Sequence, residues 1–253
     1  MMIEESFVNG NSLIHRLNPV LKIGFAIIYS FVVAVSSKFP SLFAALFIAL
    51  FLVILARLNP RKAAVRLAAV NGIIILFWFF LPFTFQGEAL FHIGPFAVTR
   101  PGVIFAAGIT LKANAILIAF IALVATMRVT TLGHALNSML IPEKLVQFFL
   151  LTYRYLFVIQ TEYQKLTRAV KVRGFRPGTN LHTYRTYAYL AGMLFVRASV
   201  RGERVYQAML CRGFKGKFYS LHEYSISKAD ITCAVFMTAA IAILVVLEWT
   251  KII

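Results

Sequence analysis

Acidic residues are scarce in this chain: nine Asp and Glu stand against 26 Lys and Arg, for a formal net charge of +17. The two cysteines, Cys211 and Cys233, are too few for a disulfide scaffold and have neither metal-ligand nor redox spacing. No Gly-x-x-x-x-Gly-Lys-Ser/Thr loop occurs, so ATP hydrolysis by that route is not expected of this chain. No paired carboxylates stand at a spacing that suits glycosidase or two-metal chemistry, so no catalytic residue is expected. Of the five histidines, His15 and His92 are isolated, and His134 is placed near the end of the fourth apolar block. His182 and His222 follow two Arg-Gly sequences; they read as interfacial polar residues rather than metal ligands, and no metal is expected. A cleavable signal peptide is not expected either. The first dozen residues hold Glu4 and Glu5 and lack a basic stretch.

Apolar residues are abundant. They make up 60% of the chain, with a mean hydropathy of +0.80, against about 45–50% in soluble domains. They come in blocks of the length that crosses hydrocarbon, about 20 residues of helix. The first, Val20 to Val35, is entered through Asn18 as cap and Pro19 at the first helical position, with Lys22 snorkelling from its end. After the Ser36-Ser37-Lys38 turn, the second runs from Phe39 to Ala56. A basic loop over 57–66 leads to the third, Leu67 to Leu81, with Pro82 as its exit. Residues 83–100 read as a mixed loop that dips into the interface, and Val103 to Ala125 form the fourth block. Lys112 lies inside that block with Asn114 nearby, and a lysine there must face protein or water. A last block runs from Ile231 to Leu247, with Asp230 as cap.

Between the fourth and last blocks the texture changes. Sixteen of the basic residues fall between Arg128 and Lys228, opposed by Glu143, Glu162, Glu203 and Glu223. Residues 143–172 and 184–211 read as long helices in which apolar and basic positions alternate at near-helical spacing. They are too charged to span and too apolar on one side to stand alone in water, so they fit the membrane's edge. Nucleic acid explains them poorly, because the bases interleave with a heavy apolar face. By the positive-inside rule, five spans put the 57–66 loop and the 128–228 segment in the cytoplasm, together with the N-terminus. The expected fold is therefore an all-α membrane protein of about five transmembrane helices, with long amphipathic cytoplasmic helices between the fourth and the last. Three regions follow: a four-span bundle over 1–127, a cytoplasmic region over 128–229 and a C-terminal span over 230–253.

One internal repeat stands out. Arg173-Gly174-Phe175-Arg176 and Arg212-Gly213-Phe214-Lys215 share a pattern 39 residues apart, preceded by Val172 and Cys211. A basic residue and a glycine at a helix end are ordinary capping. Capping does not call for phenylalanine and a further base both times. The pair fits two equivalent contacts, each an arginine offered to an acidic pocket beside an apolar anchor, on a partner that is itself a dimer.

These residues resemble a known family, the transmembrane coupling subunits (T components) of energy-coupling-factor transporters, and most of all the cobalt/nickel type. The stretches that carry the resemblance are Tyr153-Arg-Tyr-Leu-Phe157, residues 168–176, residues 195–209 and Cys211-Arg-Gly-Phe214, with weaker support from Asn18-Pro19 and Leu58-Asn-Pro60. The resemblance implies cytoplasmic coupling helices, two of which end in an Ala-Arg-Gly signature whose arginine inserts into a groove of an ATP-hydrolysing subunit. Arg173 and Arg212 would hold those roles, with Gly174 and Gly213 ending the helices. Val172, Phe175, Arg176, Cys211, Phe214 and Lys215 would form the supporting surface; Val172 and Cys211 depart from the family's alanine. Implied partners are two ATPase subunits or a heterodimer, a substrate-binding membrane subunit and the lipid bilayer. ATP and Mg would be bound by the ATPases, and this chain would be a non-catalytic subunit in a prokaryotic cell membrane. Cobalt is the expected substrate, with nickel or a vitamin as alternatives. The rival readings are a self-contained secondary transporter or channel, and a membrane scaffold for an acidic protein.

Overall fold

The computed structural model describes residues 12–84, 89–93, 96–139, 141–215 and 227–249. Helix α1 (Leu13–Arg16) is a single turn, and α2 (Pro19–Val35) and α3 (Phe39–Leu55) are apolar helices joined by residues 36–38. The Asn18 side chain accepts from the Val20 amide at 3.0 Å, so cap and proline start α2 together. At 17 residues each, α2 and α3 are about 26 Å long, at the short end of what spans a hydrocarbon core of about 30 Å.

Helix α4 (Pro60–Thr84) departs from the sequence reading at both ends. Its first turns hold Arg61, Lys62 and Arg66, which the composition suggested were loop. Pro60 opens the helix, and the Asn59 side chain accepts from the Arg61 amide at 3.3 Å. Pro82 does not end it. A proline this close to a C-terminus costs the helix one amide donor, and the chain continues to Thr84. The expected mixed loop contains a short antiparallel hairpin, β1 (Ala89–Ile93) with β2 (Phe96–Thr99), in register Ile93 to Phe96 and His92 to Ala97. Helix α5 (Arg100–Leu123) follows, then α6 (Val129–Ser138), a separate ten-residue helix that carries His134. The long α7 (Glu143–Val172) and α8 (Leu181–Cys211) precede α9 (Lys228–Trp249). The protein is an all-α membrane protein, with one hairpin among the described residues. Helices α4, α5 and α9 are long and apolar enough to cross a bilayer, and α2 and α3 are shorter apolar helices.

The described residues divide into two compact units, one within 1–135 and 223–253 and the other within 136–222. In the first, Tyr29, Val33, Leu42, Ala45, Ala49, Ala115 and Ala119 form a buried cluster, and Phe25, Ala26, Leu52, Ala56, Ala122 and Leu123 belong to a second. The alanines let α3 and α5 approach closely, which is how helices pack where lipid removes the hydrophobic drive. At Gly102 a Cβ would lie 2.7 Å from the Leu81 carbonyl and 2.8 Å from Pro82 Cα, so α5 meets α4 backbone to backbone. Polar groups inside the spans are paired: Lys112 Nζ donates to the Ala34 carbonyl at 3.0 Å, and Asn114 donates to Asn71 at 3.1 Å. Large apolar side chains such as Phe31, Phe47 and Ile54 stay more than two-thirds exposed, on the faces that meet lipid.

Candidate functional site at two helix ends

Helices α7 and α8 stop in the same way, bond for bond. At the end of α7 the Gly174 amide donates to the Lys171 carbonyl at 3.0 Å and the Phe175 amide to Val170 at 3.3 Å. At the end of α8 the Gly213 amide donates to Leu210 at 2.9 Å and the Phe214 amide to Met209 at 3.0 Å. Both are complete Schellman caps, which satisfy carbonyls the helix leaves orphaned. Gly174 and Gly213 have φ of +83° and +79°. A Cβ at either glycine would touch nothing, so conformation and not space calls for glycine.

The cap fixes where each neighbour points. Arg173 and Arg212 are exposed at the last helical step, as are Arg176 and Lys215 beyond. Val172 is 88% exposed and Cys211 is exposed as well. The two phenylalanines behave otherwise. Both are half-buried, and Phe175 packs against His182 at 6.0 Å and Tyr187 at 5.9 Å between ring centroids. The aromatic therefore holds the cap to its own helix pair instead of reaching outward beside the arginine. Among the described residues no group of three metal-ligating side chains occurs; His222 lies outside them.

The helices run antiparallel. Arg197 of α8 pairs with Glu162 of α7. On one side of that pair a groove of about 590 Å³ is lined by Arg173 and Phe175 with His182 and Met193; on the other, one of about 540 Å³ is lined by Lys144 and Tyr155 with Tyr206 and Phe214. Arg173 and Arg212 consequently stand at opposite ends of the pair, each at the end of a helix about 45 Å long. The Arg197 guanidinium, hydrogen-bonded to Glu162, holds its carboxyl below the usual carboxylate range, with Lys165 and Arg201 adding to the effect. Both charges are plain in the sequence. Their pairing across 35 residues is not, because it depends on the register of two helices.

The profile of one family, described as cobalt transport protein (CbiQ), matches residues 10–224. The chain belongs to that family. The chain is also similar to the Energy-coupling factor transporter transmembrane protein EcfT of Leuconostoc gelidum subsp. gasicomitatum, 29% identical over 83% of this chain and 82% of that protein. The EcfT of Acidaminococcus fermentans is 27% identical over 95% of this chain and 94% of its own length. The Cobalt transport protein CbiQ of Salmonella typhimurium is 30% identical over half of this chain and 57% of its own. This CbiQ-family member is thus a transmembrane component of an energy-coupling-factor transporter, as the stretches between Tyr153 and Phe214 suggested, and a multi-pass membrane protein, as the apolar blocks did.

Proposed function

We propose that this component couples ATP hydrolysis by two partner subunits to a membrane subunit that captures substrate, and that Arg173 and Arg212 are where the ATPases attach. The observation that carries the reading is the pair of matched caps, each presenting one exposed arginine at the end of a helix of 30 or 31 residues. The Schellman geometry fixes the backbone from which each arginine projects. Its planar guanidinium fork suits a carboxylate, which it can meet bidentately. Identical ends at opposite ends of an antiparallel pair suit two copies of one groove, or two related grooves.

In this reading ATP and Mg are held by the partners, and this chain breaks no substrate bond. Closure of the ATPase pair moves the two helix ends together, and the long helices carry the motion as rigid elements to the substrate-capturing subunit. The segment 128–229 lies in the cytoplasm with the N-terminus, since the positive-inside rule assigns the basic loops to that side. Cobalt is the proposed substrate, supported by the family's description and by the name of the Salmonella relative.

The test is purification of the tagged chain from its native membrane in mild detergent, with identification of what comes with it. ATPase subunits and a small membrane protein are expected. Arg173→Glu or Arg212→Glu, facing an acidic groove, lowers ATPase recovery by roughly tenfold or more. Undiminished recovery in both variants would sink the docking assignment.

A further inference from the structure

The last span, α9, is fastened at both ends and open in its middle. At its start the Asp230 carboxylate accepts from the amides of Asn18 and Ser227, each at 2.8 Å. Near its end Glu248 accepts from the Ser37 amide at 3.0 Å and from the Ser41 hydroxyl at 2.7 Å. Between these polar fastenings a slot of about 220 Å³ lies against α2, α3 and α9, lined by Phe25, Tyr29, Phe47, Phe51, Phe236 and Ala240 among other apolar side chains. Its one polar side chain is spoken for, because the Tyr29 hydroxyl donates to the Ala45 carbonyl at 2.7 Å. The slot therefore presents hydrocarbon and ring surface only.

We infer that this slot holds one acyl chain of a bilayer phospholipid. Three features select that occupant. Water needs two to four polar partners in a cavity, and the slot offers none. Phe47 with Phe51, and Phe236 with Ala240, stand four residues apart on their helices, so the slot runs along the helix axes, the direction in which lipid chains lie. Phe47 and Phe236, which line it, are 73% and 55% exposed, so the slot is open to the hydrocarbon that the apolar helices meet. A flexible chain of methylenes present at bulk concentration needs only a modest preference to fill it.

Ala240 is the handle for the test. Native mass spectrometry of the full chain, purified from membranes, counts retained phospholipid. The wild type carries one phospholipid that survives detergent exchange. Ala240→Phe lowers its retention by roughly tenfold, as expected when filling the slot forfeits burial of about two methylenes. Ala240→Leu falls between, and Phe31→Ala, on the open lipid-facing side, leaves retention unchanged. A wild type that retains no phospholipid overturns the inference, as do monodisperse Ala240 variants that retain it fully. A benzophenone side chain placed at Phe236 decides the matter independently of how the Ala240 variants fold. A phospholipid adduct in native membranes supports the inference, whereas an adduct to another membrane protein overturns it.

Discussion

At the scale of the residue, the decisive positions are those whose conformation or charge has no substitute. Gly174 and Gly213 sit in left-handed backbone with open space around them. Alanine at either costs about 1–2 kcal/mol of cap stability and clashes with nothing. Hydrogen exchange of the amides at 174–175 or 213–214 should accelerate in the corresponding variant, with the rest of α7 and α8 unchanged. Glu162 behaves differently. Its carboxyl is held below its ordinary pKa by Arg197, so its contribution is present above the unfolded carboxylate value, about 4.3. It is lost as pH falls through the depressed folded value. Glu162→Gln at neutral pH should therefore reproduce what acid does to the wild type: lower amide protection, relative to the intrinsic exchange rate at each pH, where α7 meets α8, and no further loss of protection on acidification. Had Glu162→Gln left that region unchanged, the ion pair would be a bystander.

Elements were legible in proportion to the signals at their ends. Helix α7 follows from the sequence to the residue, because Pro142-Glu143 starts it and Gly174 stops it. Helix α4 was harder to read. Arg61, Lys62 and Arg66 resemble loop by composition, yet they are the first turns of a helix whose start Asn59 and Pro60 define. Helix α6 is short and rich in threonine, glycine and asparagine, all weak helix formers, and nothing local announces it. The fastening of α9 at Glu248 was beyond local reading, since Glu248 and Ser37 are 211 residues apart. Asp230, read as the cap, lies instead in the first turn of α9 and accepts from the Ser227 amide. These contacts carry predictions of their own. Gly102→Ala drives a methyl into the Leu81–Pro82 backbone and should cost about 1–3 kcal/mol. Glu248→Ala strips acceptors from the Ser37 amide and the Ser41 hydroxyl, at about 1–3 kcal/mol. Both should lower the thermal unfolding midpoint in detergent, while Phe31→Ala on the lipid face should leave it in place.

At the scale of the whole molecule, charge and hydropathy divide the work. Apolar helices with internally paired polar groups form one unit, and the long basic pair α7–α8 forms the core of the other. The sequence showed where apolar blocks give way to basic helices, and it showed the repeated Arg-Gly-Phe pattern. It could not show that the phenylalanines turn inward and leave the arginines, with Val172 and Cys211, as the surface on offer. The proposed coupling role stands or falls on what lies against those two ends. The most direct measurement places a photo-crosslinking side chain at Val172, and separately at Cys211, in cells that make the whole transporter. The account predicts an adduct to an ATP-hydrolysing subunit from both positions, lost when the adjacent arginine is changed to glutamate. Adducts from neither position, in a chain that still assembles with its ATPases, would contradict it.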